Sequence, residues 1–411
     1  MKRVLIISYY WPPAGGISVI RPLKLAKYIS EFGWEPIVCS AENPHFPFED
    51  ENAAKDIPTG LEVIKVPILE PYEIYKILTG QKQKSALADV IQNAPKRSFF
   101  HNLSVWIRGN FFIPDARCLW IKPVVNSLTK YLIENPVDAI LTTGPPHSVN
   151  RIGFLLKKKV NLPWLADFQD PWTQVDYYKH FKISNWAHRR HRKMENQIFD
   201  NADLITIVSN SWKIDIESIG ARNVEVVPLG YDTTDFSENI TIDSNFTLTH
   251  LGLLGDDRNP TVLMEVIADL CKLDSNFSKY FRLQLVGKVN ETLKDVVNKL
   301  GLLEQVRFVG QVNRLEALEI MQASQLLLLL LNKAGNVGGR IPGKVFEYFG
   351  ARRPVLSLGP NNTDIEKMLY ESGSGVNINY SDKIRLKSYL QNQLNWLLNE
   401  GINPISNSVK K

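Results

Sequence analysis

A chain of 411 residues, 44% hydrophobic and 22% charged, has the length of two domains and the balance of a soluble globular protein. A net charge of +5 with no recognised nucleic-acid module argues against a nucleic-acid partner. The three scattered cysteines, Cys39, Cys118 and Cys271, argue against a zinc or disulfide scaffold and fit a reducing cytoplasm. The longest apolar run, Leu326 to Leu331, is far shorter than the roughly 20 residues a bilayer span takes. The apolar residues after Met1-Lys2-Arg3 read as a strand, because Ser8 to Pro13 ends the run too early for a leader peptide.

Taken in chain order, short apolar runs alternate with helical patterns. Val4 to Ser8 predicts a strand, and a loop with Pro12, Pro13, Gly15 and Gly16 follows. Ser18 to Phe32 then predicts a helix closed by Gly33. Further strands are expected at Pro36 to Ser40, Leu61 to Val66, Ala139 to Thr142, Trp164 to Phe168, Leu204 to Val208 and Val224 to Pro228. This alternation implies a parallel sheet with right-handed crossovers. Residues 70–125 break the rhythm. Short helices are expected at Glu73 to Leu78 and Leu87 to Ile91, and the aromatic, arginine-rich stretch Phe99 to Trp120 reads as an insertion on the sheet edge. The pattern lapses again after Gly230. A second alternating series then runs from Thr247 to Leu358, and a leucine-patterned helix begins near Ile384. The expectation is a domain over 1–232, a second over 233–383, and a C-terminal helix over 384–411 that returns to the first. Two doubly wound domains would face a central cleft, with ligands beyond the carboxyl ends of the strands.

Six groups of residues lie at such ends. Gly15 and Gly16 let the backbone approach a ligand before a helix, although no full G-x-G-x-x-G is present. Gly255 and Arg258 follow the first strand of the second series, where a guanidinium can grip a diphosphate. Pro342, Gly343 and Lys344 open a helix whose free N–H groups suit an anion, and Glu347 sits one turn on, placed to accept from sugar hydroxyls. An ordinary amphipathic helix carries the same residues. Gly310 ends another strand and offers a backbone edge to a nucleobase. In the first half, His147 follows one strand, and Asp167, Gln169 and Asp170 follow another; Pro171 makes Asp170 the more exposed of the acids. Lys157 to Lys159, and the segment from Lys179 to Lys193 with Phe181 and Trp186, are basic. They suit an anionic lipid surface or a pyrophosphate-linked acceptor, and equally a solvated helix face.

Together these residues resemble the family 4 glycosyltransferases of GT-B architecture. The likeness rests on Gly15-Gly16, on Pro228-Leu229-Gly230-Tyr231-Asp232, on Gly255 with Arg258, and on the Glu347 helix. Asp167-Phe168-x-Asp170-Pro171-Trp172 and Pro114-Asp115-Ala116-Arg117 bring it nearest a bacterial subgroup that makes surface polysaccharides. The resemblance implies a retaining, metal-independent enzyme with no cofactor beyond its nucleotide-sugar donor. The acceptor would be a saccharide or lipid-linked saccharide, and the enzyme would work in the cytoplasm at the inner face of the membrane. It implies a ribose contact for Glu347, diphosphate contacts for Arg258 and the Gly16 backbone, and a donor-binding second domain. Three positions depart from the family pattern. Gly339 stands eight residues before Glu347, where a second glutamate is usual. No lysine follows Arg258 at the usual place, which leaves Lys344 to supply that charge. Gln169 stands where a histidine is common, so His147, Gln169 and Asp170 all remain candidates at the reacting sugar. The alternatives are an epimerase or hydrolase of nucleotide sugars with the same fold, or a saccharide- or nucleotide-binding protein without turnover.

Overall fold

The computed structural model describes residues 1–44, 49–69, 99–175, 178, 181–255, 258–332 and 337–401. The helices expected at 73–78 and 87–91 lie outside these residues, as do Lys179, His180 and the tail after 401. The chain forms two compact units, Met1–Pro228 and Leu229–Lys411.

In the first unit the strands are β1 (Lys2–Ser8), β2 (Trp34–Ala41), β3 (Glu62–Val66), β4 (Ala139–Gly144), β5 (Trp164–Phe168), β6 (Leu204–Ile207) and β7 (Val224–Val226). They form a parallel sheet in the order β3-β2-β1-β4-β5-β6-β7. Ile6 of β1 lies opposite both Val38 and Leu141, which places β1 among the buried central strands. Such strands, covered on both faces, read as continuous apolar runs. The helices are α1 (Ile17–Tyr28), α2 (Phe99–Phe111), α3 (Ile121–Glu134), α4 (Ser148–Val160), α5 (Asn185–Phe199) and α6 (Asn210–Ser218). Helix α4 approaches the sheet at Gly153, where a β-carbon would collide with the Trp164 indole and with Thr142. That indole donates to Thr142 Oγ1 at 2.9 Å.

The second unit repeats the plan. Its strands are β8 (Phe246–Leu251), β9 (Phe281–Val286), β10 (Val306–Gly310), β11 (Leu326–Leu330), β12 (Val355–Leu358) and β13 (Gly375–Ile378). They are parallel, in the order β10-β9-β8-β11-β12-β13. Its helices are α7 (Thr261–Leu273), α8 (Ser275–Tyr280), α9 (Glu291–Lys299), α10 (Arg314–Ala323), α11 (Lys344–Gly350), α12 (Asp364–Glu371) and α13 (Lys383–Glu400). All five leucines of β11 are buried. In each sheet the strand order reverses between two neighbours, β1 and β4 or β8 and β11. In open α/β sheets that reversal opens a crevice at the strands' carboxyl ends.

One expectation needs correction. Leu386, Leu390 and Leu394 of α13 are buried in the second unit's core against α7, where the sequence suggested a return to the first half. A stripe of leucines fixes that a helix is buried, but not by which core. The segment from α2 to Trp120 meets the edge strand where Trp120 donates to the Val66 carbonyl at 3.0 Å, and its Pro114 to Arg117 stretch reaches further, to the loop after central strand β4.

Candidate active site

Helix N-termini expose N–H groups that a side chain, water or a ligand must satisfy. The helices after β6, β9, β10, β12 and β13 are capped by Ser209, Asn290, Asn313, Thr363 and Asp382 respectively. The helices after β1, β4, β8 and β11 (α1, α4, α7 and α11) have no side-chain bond from their cap residue. These four flank the two strand-order reversals; α3, which starts at Trp120, also has no side-chain cap bond. Among the described residues α4 is closed from elsewhere: Asp115 accepts from the Ser148 backbone N–H and hydroxyl, both at 2.8 Å.

In the first unit the strand ends rest on a buried ion pair. Arg21 of α1 grips Asp167 at the end of β5 through two bonds of 2.8 Å. Asp167 also accepts from Thr143 of β4 and Thr206 of β6, while Arg21 donates to the Pro228 carbonyl at 3.0 Å. Asp167 is thereby a framework residue. Gln169 joins the same network, donating its amide to Thr143 Oγ1 at 2.9 Å and its backbone N–H to Gly144. Asp170 is half-buried and does not line the cavity described next. Gly16, at φ 102°, turns the backbone into the open start of α1. Gly15 precedes it in the same half-buried loop.

Against this framework lies a cavity of about 310 Å³. Its walls include Ser18 in the first turn of α1, Arg108 of α2, Asp115 and Arg117, His147, Trp172 and His191. His147 stacks on Trp172 with ring centres 5.0 Å apart, and Trp172 donates its indole N–H to His191 Nδ1 at 3.0 Å. The Arg117 guanidinium lies over the Tyr9 ring and that of Arg108 over Phe181. His147 is 6% exposed, and neither of its ring nitrogens has a hydrogen-bond partner. Burial, with His191 nearby, pulls its pKa down to about 3. Burial likewise brings His191 to about 4, with the Gly109 backbone opposing and His188 assisting. Sequence reasoning found His147 but missed the rest of this wall. Arg117 and Trp172 entered it as family markers, and nothing in their spacing shows that they meet.

In the second unit the loops after β8, β9 and β10 are laced together. Gly252 N–H donates to the Val286 carbonyl at 2.8 Å, and Gly287 N–H to Gly310 at 2.6 Å. Gly310 is thus a fixed backbone edge at the end of β10. The Gly255 carbonyl receives the Arg258 N–H at 3.2 Å, turning the chain toward α7. Helix α11 starts at Gly343, with Pro342 accepting from Val345 at 3.0 Å. The Lys344 ammonium reaches back to the Leu251 carbonyl and occupies the space that a β-carbon on Gly252 would fill. Lys344 keeps some exposure, but its ammonium lies deep. Burial lowers its pKa to about 8; Arg258 adds repulsion and Glu347 opposes. Arg258 and Lys344 therefore share one local field. His250 lies buried near both, Nδ1 on the Leu328 carbonyl, its pKa held well down by burial and then by Lys344. Glu347 accepts from Arg314 Nη1 at 2.6 Å, and Arg314 Nη2 donates to Asp235 at 3.0 Å. Arg314 was not singled out from sequence; it lies 33 residues from Glu347, and no local pattern links them.

Residues 88–235 match the model of the family described as Glycosyltransferase Family 4. No curated protein sequence matches the chain. The fold is shared with solved structures at low identity. HepE of Anabaena, solved in complex with UDP, has a TM-score of 0.61 and 14% identity, covering 100% of this chain and 94% of its own. A sucrose-phosphate synthase from Thermosynechococcus elongatus has a TM-score of 0.61 and 13% identity, covering 100% and 93%. WaaG, a glycosyltransferase of lipopolysaccharide biosynthesis, has a TM-score of 0.54 and 16% identity, covering 95% and 90%. The chain has the GT-B fold of glycosyltransferases. Within it, residues 88–235 are similar to Glycosyltransferase Family 4.

The buried imidazoles make a pH prediction. The unfolded chain protonates them near pH 6.5, whereas folded His147 and His191 resist until about 3 and 4. Stability therefore falls as pH drops below about 6.5, by roughly 1.4 kcal/mol per pH unit for each such histidine. Urea unfolding of wild type and His147→Phe between pH 7 and pH 4.5 checks this: the variant has the shallower slope, and parallel slopes would refute it.

Proposed function

We propose that the protein is a retaining glycosyltransferase that moves a sugar from a nucleotide-sugar donor to a saccharide or lipid-linked saccharide in surface-polysaccharide synthesis. The observation that carries the reading is the convergence of Arg258, Lys344 and Glu347 at the open helix starts of the second unit. In this reading Arg258 and Lys344 bind the diphosphate. The Glu347 carboxylate takes the ribose hydroxyls, Gly310 meets the base, and Gly255, Pro342 and Gly343 shape the backbone around the phosphates. The cavity of the first unit takes the acceptor, with His147 at its wall and Gln169 and Asp170 at the neighbouring strand end.

The chemistry follows from charge. The donor's C1–O bond breaks as negative charge grows on the leaving diphosphate. Fixed cations stabilise that charge without reorganising, in the role a divalent metal plays elsewhere. A departing phosphate oxygen on the same face accepts the proton of the attacking hydroxyl, so configuration is retained without a carboxylate nucleophile. Excluding water favours the acceptor over hydrolysis.

Glu347→Ala and Arg258→Ala are each expected to lower turnover at least about tenfold with the fold intact. Acceptor-dependent release of nucleoside diphosphate measures this, and wild-type rates in both variants would remove the site assignment. The same assay with and without acceptor separates transfer from hydrolysis or epimerisation. Lys344 adds a pH signature. Affinity for UDP is expected to fall up to about tenfold from pH 7 to pH 9 as the ammonium loses its proton, and Lys344→Arg flattens that profile. An unchanged wild-type affinity at pH 9 counts against the assignment.

Contact with an anionic membrane surface is part of the proposal. Trp186 is exposed beneath the Arg190 guanidinium, and Trp106, Ile107 and Phe111 are exposed on α2. Aromatic rings interleaved with cations suit the headgroup region. Sedimentation with phosphatidylglycerol vesicles at low salt should carry the protein into the pellet; protein left in the supernatant contradicts the contact.

A further inference from the structure

We propose that the cavity of the first unit selects an acceptor bearing an oxyanion, a sugar carboxylate or a phosphate, next to the sugar ring stacked on its aromatic wall. This rests on the glycosyltransferase reading and specifies the substrate class of its acceptor site. Three observations converge. First, the polar groups lining the cavity are rich in donors. Arg108 and Arg117 contribute guanidiniums, Ser18 and Tyr10 hydroxyls, and α1 a helix start with no side-chain cap. Second, Asp115 is the one carboxylate among the described residues of the wall, and it is engaged inward. It accepts from the Arg117 N–H, the Ser148 N–H and the Ser148 hydroxyl, each at 2.8 Å. A site for neutral hydroxyls needs acceptors as well as donors, and carboxylates and side-chain amides are the strongest side-chain acceptors. No side-chain amide lines this cavity among the described residues.

Third, His147 is buried in the wall with both ring nitrogens unpartnered. A buried polar group without a partner is unfavourable, so it marks a place where a ligand or water completes the bonding. A neutral imidazole offers one N–H to an oxyanion and one lone pair to a hydroxyl, a combination that an acidic saccharide meets in one molecule. The Trp172 ring, which lines the cavity and stacks on His147, suits a sugar ring beside a charge.

A matched set of probes tests this on the full chain by saturation-transfer NMR and calorimetry: methyl glucoside, glucuronate and glucose 1-phosphate. At least one anionic probe is expected to bind about tenfold more tightly than methyl glucoside, with affinity falling as salt rises. Preference for glucuronate assigns the oxyanion to a sugar acid, and preference for glucose 1-phosphate to a phosphate. Arg117→Gln, or Arg108→Gln should the first variant fail to fold, is expected to remove the anionic advantage. Equal binding of all three probes, no binding of either anionic probe at millimolar concentration, or an anionic advantage that survives both substitutions overturns the proposal. UDP displacing the anionic probe from the cavity overturns it as well, because the anion would then belong to the donor. UDP binding to the wild-type protein, measured separately, tests the parent reading. If UDP fails to bind, that reading falls, and the anion preference is still decided by its own probes.

Discussion

The first unit depends on one buried charge pair. Arg21 reaches from α1 to Asp167 at the end of β5, and Asp167 in turn holds Thr143 of β4 and Thr206 of β6. Three adjacent strand ends and the helix with the open glycine start are thereby fixed relative to one another. Such a pair is worth little as net stability, because desolvating both charges offsets their attraction. Its consequence is geometric. The loops that rise from these strand ends carry His147, Gln169 and Trp172, so their positions follow from where Asp167 is held. The second arginine bond, to the Pro228 carbonyl, fixes the last residue of the unit to the same point.

The second unit reaches a similar result with backbone in place of charge. Its strand-end loops bond to one another through Gly252, Gly287 and Gly310, and the Lys344 ammonium fills the space that Gly252 leaves empty. Any side chain at Gly252, which sits at φ 122°, would displace that ammonium. Glycine here creates room for a cation, and the cation is held where burial and Arg258 both raise the cost of its charge. An anion at this place would offset that cost, which is why the arrangement suits the diphosphate of the proposed donor.

Much of the fold was legible in sequence because period and punctuation are local. The β1 run, the glycines at 15 and 16 and the leucine run of β11 each announce an element without reference to anything distant. The site was legible only in part. Lys344 and Glu347 share one helix, so their relation is local and was read. Arg117 and Ser148, the neighbour of His147, meet through Asp115, and Glu347 and Arg314 meet across two helices; these contacts exist only once the sheets have formed. The reach of 99–120 beyond the sheet edge was not legible for the same reason. Aromatic density shows that a segment packs, but where it packs is set by partners such as the Val66 carbonyl and Ser148.

Glu347 shows how a departure from the family pattern is accommodated. Where a second glutamate is expected, this chain has Gly339, a buried glycine in a short 3-10 turn. The remaining carboxylate faces Arg314, whose own charge is supported from the other side by Asp235. Burial alone would weaken the Arg314 charge, and the two acids outweigh it, so its pKa is raised. One oxygen of Glu347 is therefore fixed by a charged donor of set direction, and this orients the other. A lone carboxylate on a helix face rotates among rotamers, and a carboxylate tied at one oxygen does not. The Arg314 guanidinium thus supplies, from within the protein, an orientation for the carboxylate that the proposed function assigns to the ribose.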